Sequence, residues 1–104
     1  MKLILSILML TAAPSFVLAS DDAAHNPIAK KLKNKLLKEL ATSDLKGFCD
    51  VFVELKHTDN YAIVASVTTT GDYRLCKVGK TTIKKGLRFK YRTPEKYLRI
   101  HVAN

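Results

Sequence analysis

The chain lacks the devices by which many enzymes show themselves in sequence. It contains no His-Glu-x-x-His pair, no Gly-x-Ser-x-Gly elbow, no phosphate-cradling glycine loop and no dinucleotide fingerprint. Its three histidines, His25, His57 and His101, stand far apart, and its two cysteines, Cys49 and Cys76, do not have the close spacing of a zinc-binding pair. Carboxylates are few, nine against eighteen Lys and Arg. Asp50 and Glu54 alternate on one strand face, where solubility explains them more simply than acid and base roles. His57 reads as a solvated turn residue and His101 as an outward-facing strand residue. These absences point away from an enzyme and call for no cofactor, metal or small-molecule substrate.

Long apolar runs are missing too, apart from the first. Lys2 precedes Leu3, Ile4, Leu5, Ile7, Leu8, Met9 and Leu10, Pro14 breaks that run, and Val17-Leu18-Ala19 offers small residues for cleavage. Ser6, Thr11, Pro14 and Ser15 interrupt the stretch, whereas a membrane span needs about 20 predominantly apolar residues. Residues 1–19 are therefore expected to be a signal peptide cleaved after Ala19, with a periplasmic, non-spanning product. Position 20 is serine rather than the cysteine that a lipid anchor requires. No Pro-, Gly- or Ser-rich linker follows, so one domain is expected at 27–104 behind a flexible lead at 20–26.

Two cysteines in an oxidising compartment allow one intramolecular bond, and closing a 27-residue separation would stabilise the fold by about 3.5 kcal/mol through loop entropy. The alternatives are two buried thiols or an intermolecular bridge.

Loss of Lys2 with the signal peptide leaves 17 Lys and Arg against nine acids, a formal net charge of +8. The excess gathers at Lys30, Lys31, Lys33, Lys35 and Lys38 and again from Lys77 to Arg99. Such a surface steers acidic proteins, anionic headgroups or nucleic acid, and equally serves as a solvated face. Phe89-Lys90-Tyr91-Arg92 interleaves rings with cations, but without an RNA-binding context nucleic acid is not the expected partner.

Asn26-Pro27 is a helix start, with an N-cap followed by proline at the first helical position. Ile28, Leu32, Leu36, Leu37 and Leu40 then recur at helical spacing, predicting an amphipathic helix over 27–42. From Phe48 the period changes to two, with Cys49, Val51, Val53 and Leu55 on one face. His57-Thr58-Asp59-Asn60 turns the chain into a second strand at 61–68, with Tyr61, Ile63, Ala65 and Val67 on one face and Ala62, Val64, Ser66 and Thr68 on the other. Gly71-Asp72 opens a helix over 73–85 despite Gly79, Thr81 and Thr82. Leu87 to Tyr91 is an extended or irregular link, and Tyr97–Ala103 is a strand with Leu98, Ile100 and Val102 inward. The expected fold is α+β, a three-stranded antiparallel sheet packed against helices in the order α-β-β-α-β with one disulfide.

Those residues resemble the C-terminal domain of the cell-envelope protein TolA over about 27–103. The leading amphipathic helix, the Gly47-Phe48-Cys49 lead into an alternating strand, the polar hairpin turn and Gly71-Asp72-Tyr73-Arg74-Leu75-Cys76 carry the likeness. In that family a Gly-Asp-x-x-Leu signature opens the second helix, and in some members a cysteine there pairs with one on the first strand. Cys49 and Cys76 fall on those positions. The resemblance implies an envelope protein as partner: a Tol-Pal component such as TolB or Pal, a colicin or a phage protein. With neither anchor nor stalk read in the chain, it implies binding without energy transduction. The family's Pro-rich segment after the second helix is reduced here to Pro94. The expected docking element is an exposed edge strand, either Tyr97–Val102, with Tyr97, Arg99 and His101 as contact residues, or Tyr61–Thr68. The alternative is a secreted cationic protein that binds lipopolysaccharide, phospholipid or nucleic acid through a basic helix face of Lys30, Lys31, Lys35 and Lys38.

Overall fold

A computed structural model describes residues 21–104 of the 104-residue chain. The expected signal peptide at residues 1–19, and its cleavage after Ala19, lie outside the described residues. A 3-10 turn (Asp22–Ala24) precedes α1 (Pro27–Ala41), β1 (Phe48–His57), β2 (Tyr61–Gly71), α2 (Tyr73–Thr82), β3 (Arg88–Lys90) and β4 (Tyr97–Ala103).

The first helix starts where Asn26 Oδ1 accepts the N–H groups of Ile28 and Ala29 at 2.9 and 3.0 Å. Its Ile28, Ala29, Leu32, Leu36 and Leu40 are buried. Each leucine taken fully from water contributes on the order of 2 kcal/mol. At the other end Asn104 Nδ2 donates to the carbonyls of Leu40 and Leu45, so the last residue ties down the close of α1.

The class is α+β with an antiparallel sheet and a Cys49–Cys76 disulfide. The sheet, however, has four strands in the order β3-β2-β1-β4, not three. The added strand lies in the stretch expected to be an irregular link. Leu87, Phe89 and Tyr91 pack against the core while Arg88–Lys90 pairs with Tyr61–Ile63. Alternation over so few residues is too short to separate a strand from a loop by sequence.

A second correction concerns β2. A register shift between Glu54 and Leu55 pairs Glu54 with Ser66 but Leu55 with Val64. The extra residue turns the strand over, so Ala62 and Val64 join the core together with Val67. Strict alternation would separate them.

The helix α2 ends at Thr82 instead of continuing to Lys85. Ile83 leaves the helix with extended backbone and is buried. Gly79 is a point of close approach, since a Cβ there would lie 3.2 Å from Val51 Cγ2 and 3.9 Å from Leu36 Cδ2. That contact, with the disulfide from Cys49 to Cys76, sets α2 on the same sheet face as α1. Both helices thus cover the face of Cys49, Val51, Val53, Leu98, Ile100 and Val102.

The Gly71-Asp72 pair works differently from a simple cap. Gly71 has φ +139°, and a Cβ there would approach Phe48 O to 2.6 Å. Asp72 stands at the N-cap position, yet its side chain accepts from Phe48 N–H at 2.9 Å, tying the start of α2 to the start of β1. Residues 21–26, expected as a flexible lead, hold structure from Asp21 onward: Asp21 caps the 3-10 turn, and Ala23 is buried.

Candidate interaction surface

With both helices on one side, no described helix covers the other face of the sheet. The central strand β1 presents Phe48, Asp50, Phe52, Glu54 and Lys56 there. Phe48 and Phe52 are 43% and 37% exposed. Beside them β4 contributes Tyr97, Arg99 and His101, paired with Glu54, Phe52 and Asp50 respectively. On the other side β2 sets the short polar chains of Ser66, Thr68 and Thr70 opposite Glu54, Phe52 and Asp50.

Asp50 organises this face. It is 8% exposed, the one buried charged residue among the described residues. Its Oδ1 lies 2.8 Å from His101 Nδ1 and its Oδ2 3.4 Å from Arg99. An Nδ1–H of the imidazole can donate to this carboxylate oxygen. The imidazole stacks on Phe48 with ring centroids 5.8 Å apart, and the Arg99 guanidinium lies 5.5 Å from the centre of Phe52. One carboxylate thereby positions two planar groups on two aromatic rings. Glu54 is engaged separately, accepting from Ser66 Oγ at 3.1 Å, so the two carboxylates of β1 do not form a pair.

The two outer edges of the sheet differ. Along β4, Arg99 N–H donates to Asp22 Oδ2 at 2.7 Å, and Asp21 lies near enough to the His101 N–H for its carboxylate to be favoured by it. The 3-10 turn therefore occupies the edge where Tyr97–Val102 was expected to be open. Burial opposes ionisation of Asp21, but the hydrogen bond from Lys33, the Ala23 N–H, the Lys33 charge and the His101 N–H together hold its pKa below the ordinary value. Along β2, β3 pairs only with Tyr61–Ile63, and backbone bonds from Gly86 to Val64 and from Val64 to Leu87 extend the contact by one residue. Past Val64 no strand borders β2 among the described residues. C-terminal to the bulge, the Asp72 N–H to Phe48 O bond places the backbone groups of Ser66, Thr68 and Thr70 on the β1 side. Val67 and Thr69 accordingly turn their backbone groups outward.

No family model, curated protein or solved structure matches the chain.

The basic helix face divides. Lys31, Lys35 and Lys38 line one shallow groove of about 390 Å³ with Asn34 and Phe89. Lys30 does not, because one helical step of about 100° turns it to the other flank. There Lys33 is ion-paired with Asp21. A larger cleft of about 790 Å³ lies between the start of α1 and the β3–β4 connection, and mixes Asp22 and Glu95 with Lys90 and Arg92. His57, expected as a solvated turn residue, closes β1 half-buried, with its ring 4.7 Å from Tyr91 in an edge-on contact. Among the described residues no group of three or more His, Cys, Asp or Glu is placed to hold a metal ion. No described helix is long and apolar enough to cross a membrane.

The Phe48–Phe52 platform is the feature that sequence reasoning missed. The period of two sets both residues opposite Cys49, Val51, Val53 and Leu55, but only the placement of both helices on that other side leaves the phenyl face without a described helix over it.

Proposed function

We propose that this chain is an exported, periplasmic, non-catalytic protein-binding module resembling the TolA C-terminal domain. It docks an envelope partner, whether a Tol-Pal component, a colicin or a phage protein, without transducing energy. The observation that carries this reading is the uncovered sheet face with the Phe48–His101–Asp50–Arg99–Phe52 cluster. Aromatic residues and arginine are enriched where protein interfaces concentrate their energy. Holding Arg99 and His101 in place before contact lowers the ordering cost of binding. The adjoining edge at Val67 and Thr69 supports the same reading, since a partner strand can add there through backbone hydrogen bonds.

Pull-down from a periplasmic extract, with the captured protein identified by mass spectrometry, tests the proposal. The native chain is expected to retain a Tol-Pal, colicin or phage protein. Phe52→Ala should weaken retention at least tenfold, the scale of an interface hot spot of about 1.4 kcal/mol or more. Thr69→Pro removes an outward N–H without touching the β1–β2 ladder, and should weaken it if a strand is added. Recovery of none of these partners, or retention untouched by Phe52→Ala, would overturn the proposal.

A further inference from the structure

We infer that the groove formed by Lys31, Asn34, Lys35, Lys38 and Phe89 is a docking site for the phosphate headgroups of an anionic phospholipid surface. The groove is lined by three cations and no carboxylate. All three lysines are exposed, and none is ion-paired among the described residues. The contrast lies on the same helix, where Lys33 faces the other flank and is bound to Asp21. Charge that could be neutralised internally is neutralised there, and left available here.

The spacing along the helix suits an extended anionic surface rather than a single ion. Positions 31, 35 and 38 span two turns, about 10 Å of helix axis, so the three ammonium groups form a row. Their flexible stems can lie along apolar surface while the heads reach phosphate. Phe89, half-buried against the core, supplies the apolar floor and suits the glycerol region below the headgroups. The single ring offers no series of stacking faces, which a nucleic acid strand would use. The overall excess of basic residues adds long-range attraction to such a surface.

Co-sedimentation of the full chain with vesicles tests this. Phosphatidylcholine vesicles containing phosphatidylglycerol should retain the protein, pure phosphatidylcholine should not, and added salt should release it. Lys31→Glu, Lys35→Glu and Lys38→Glu together should weaken retention on the order of 100-fold, from about fivefold per lysine near an anionic bilayer. The same charge change at Lys46, Lys77 and Lys80, which are exposed outside the groove, should cost less than tenfold. Circular dichroism establishes that both triple variants fold. Equal losses from the two triple variants would overturn the proposal, as would absence of binding to the anionic vesicles. Release by millimolar inorganic phosphate at constant ionic strength would overturn it in favour of a small-anion site. Tighter binding of a short single-stranded oligonucleotide would overturn it in favour of nucleic acid.

Discussion

Replacing Cys49 and Cys76 together by alanine should lower the melting temperature by about 20 °C. The bond joins the inner face of β1 to α2 across 27 residues of sequence. Loop-closure entropy for that separation corresponds to about 3.5 kcal/mol at 25 °C. The 84 described residues, at about 2.1 cal/mol/K each, give an unfolding entropy of roughly 0.18 kcal/mol/K. The quotient of these two values is the shift. Both cysteines are buried, so alanine rather than serine avoids adding an unsatisfied hydroxyl to the apolar interior. Thermal unfolding followed by circular dichroism, on the oxidised chain, the reduced chain and the double variant, supplies the measurement. The reduced chain and the double variant should melt close together, far below the oxidised form. A shift of less than about 5 °C would refute the reasoning, because the disulfide would then be constraining an unfolded chain that is already compact.

Two further outcomes follow from the carboxylates. Asp50→Ala leaves Arg99 and His101 without their shared acceptor and should lower stability in urea unfolding by about 1–2 kcal/mol, with Asp50→Asn losing about half as much. Asp21 has a lowered pKa in the folded chain, so the unfolded chain takes up its proton first on acidification. The resulting stabilisation is complete above the unfolded value of about 3.9 and is lost as pH falls through the folded value. Urea midpoints between about pH 2 and 6 should therefore fall more steeply for the native chain than for Asp21→Asn, and the two should converge at the acid end.

The elements set by local chemistry were legible in the sequence. Asn26-Pro27 and the spacing of Leu32, Leu36 and Leu40 specify α1, and the period of two from Cys49 to Leu55 specifies the inward face of β1. What escaped depends on long-range pairing. The bulge opposite Glu54 and Leu55 exists only in the register between two strands, and it reverses the faces of Ala62 and Val64. Arg88–Lys90 is a strand only because Tyr61–Ile63 lies beside it. The expected contact residues Tyr97, Arg99 and His101 lie on the sheet face opposite the helices, but the Arg99 backbone N–H is already engaged by Asp22. Asp22 gives no local signal that it will meet Arg99, 77 residues further along the chain. The lysines divided for a geometric reason, since adjacent helix positions face different flanks.

The unequal edges of the sheet bear on stoichiometry. A chain of molecules joined strand to strand needs two receptive edges on every subunit, one to accept and one to continue. Among the described residues the Asp22 carboxylate takes the Arg99 N–H on one edge, whereas the stretch of β2 past Val64 on the far side borders no strand. Edge pairing along β4 would have to displace that contact. The asymmetry favours pairing at one edge over the other, which works against head-to-tail filaments.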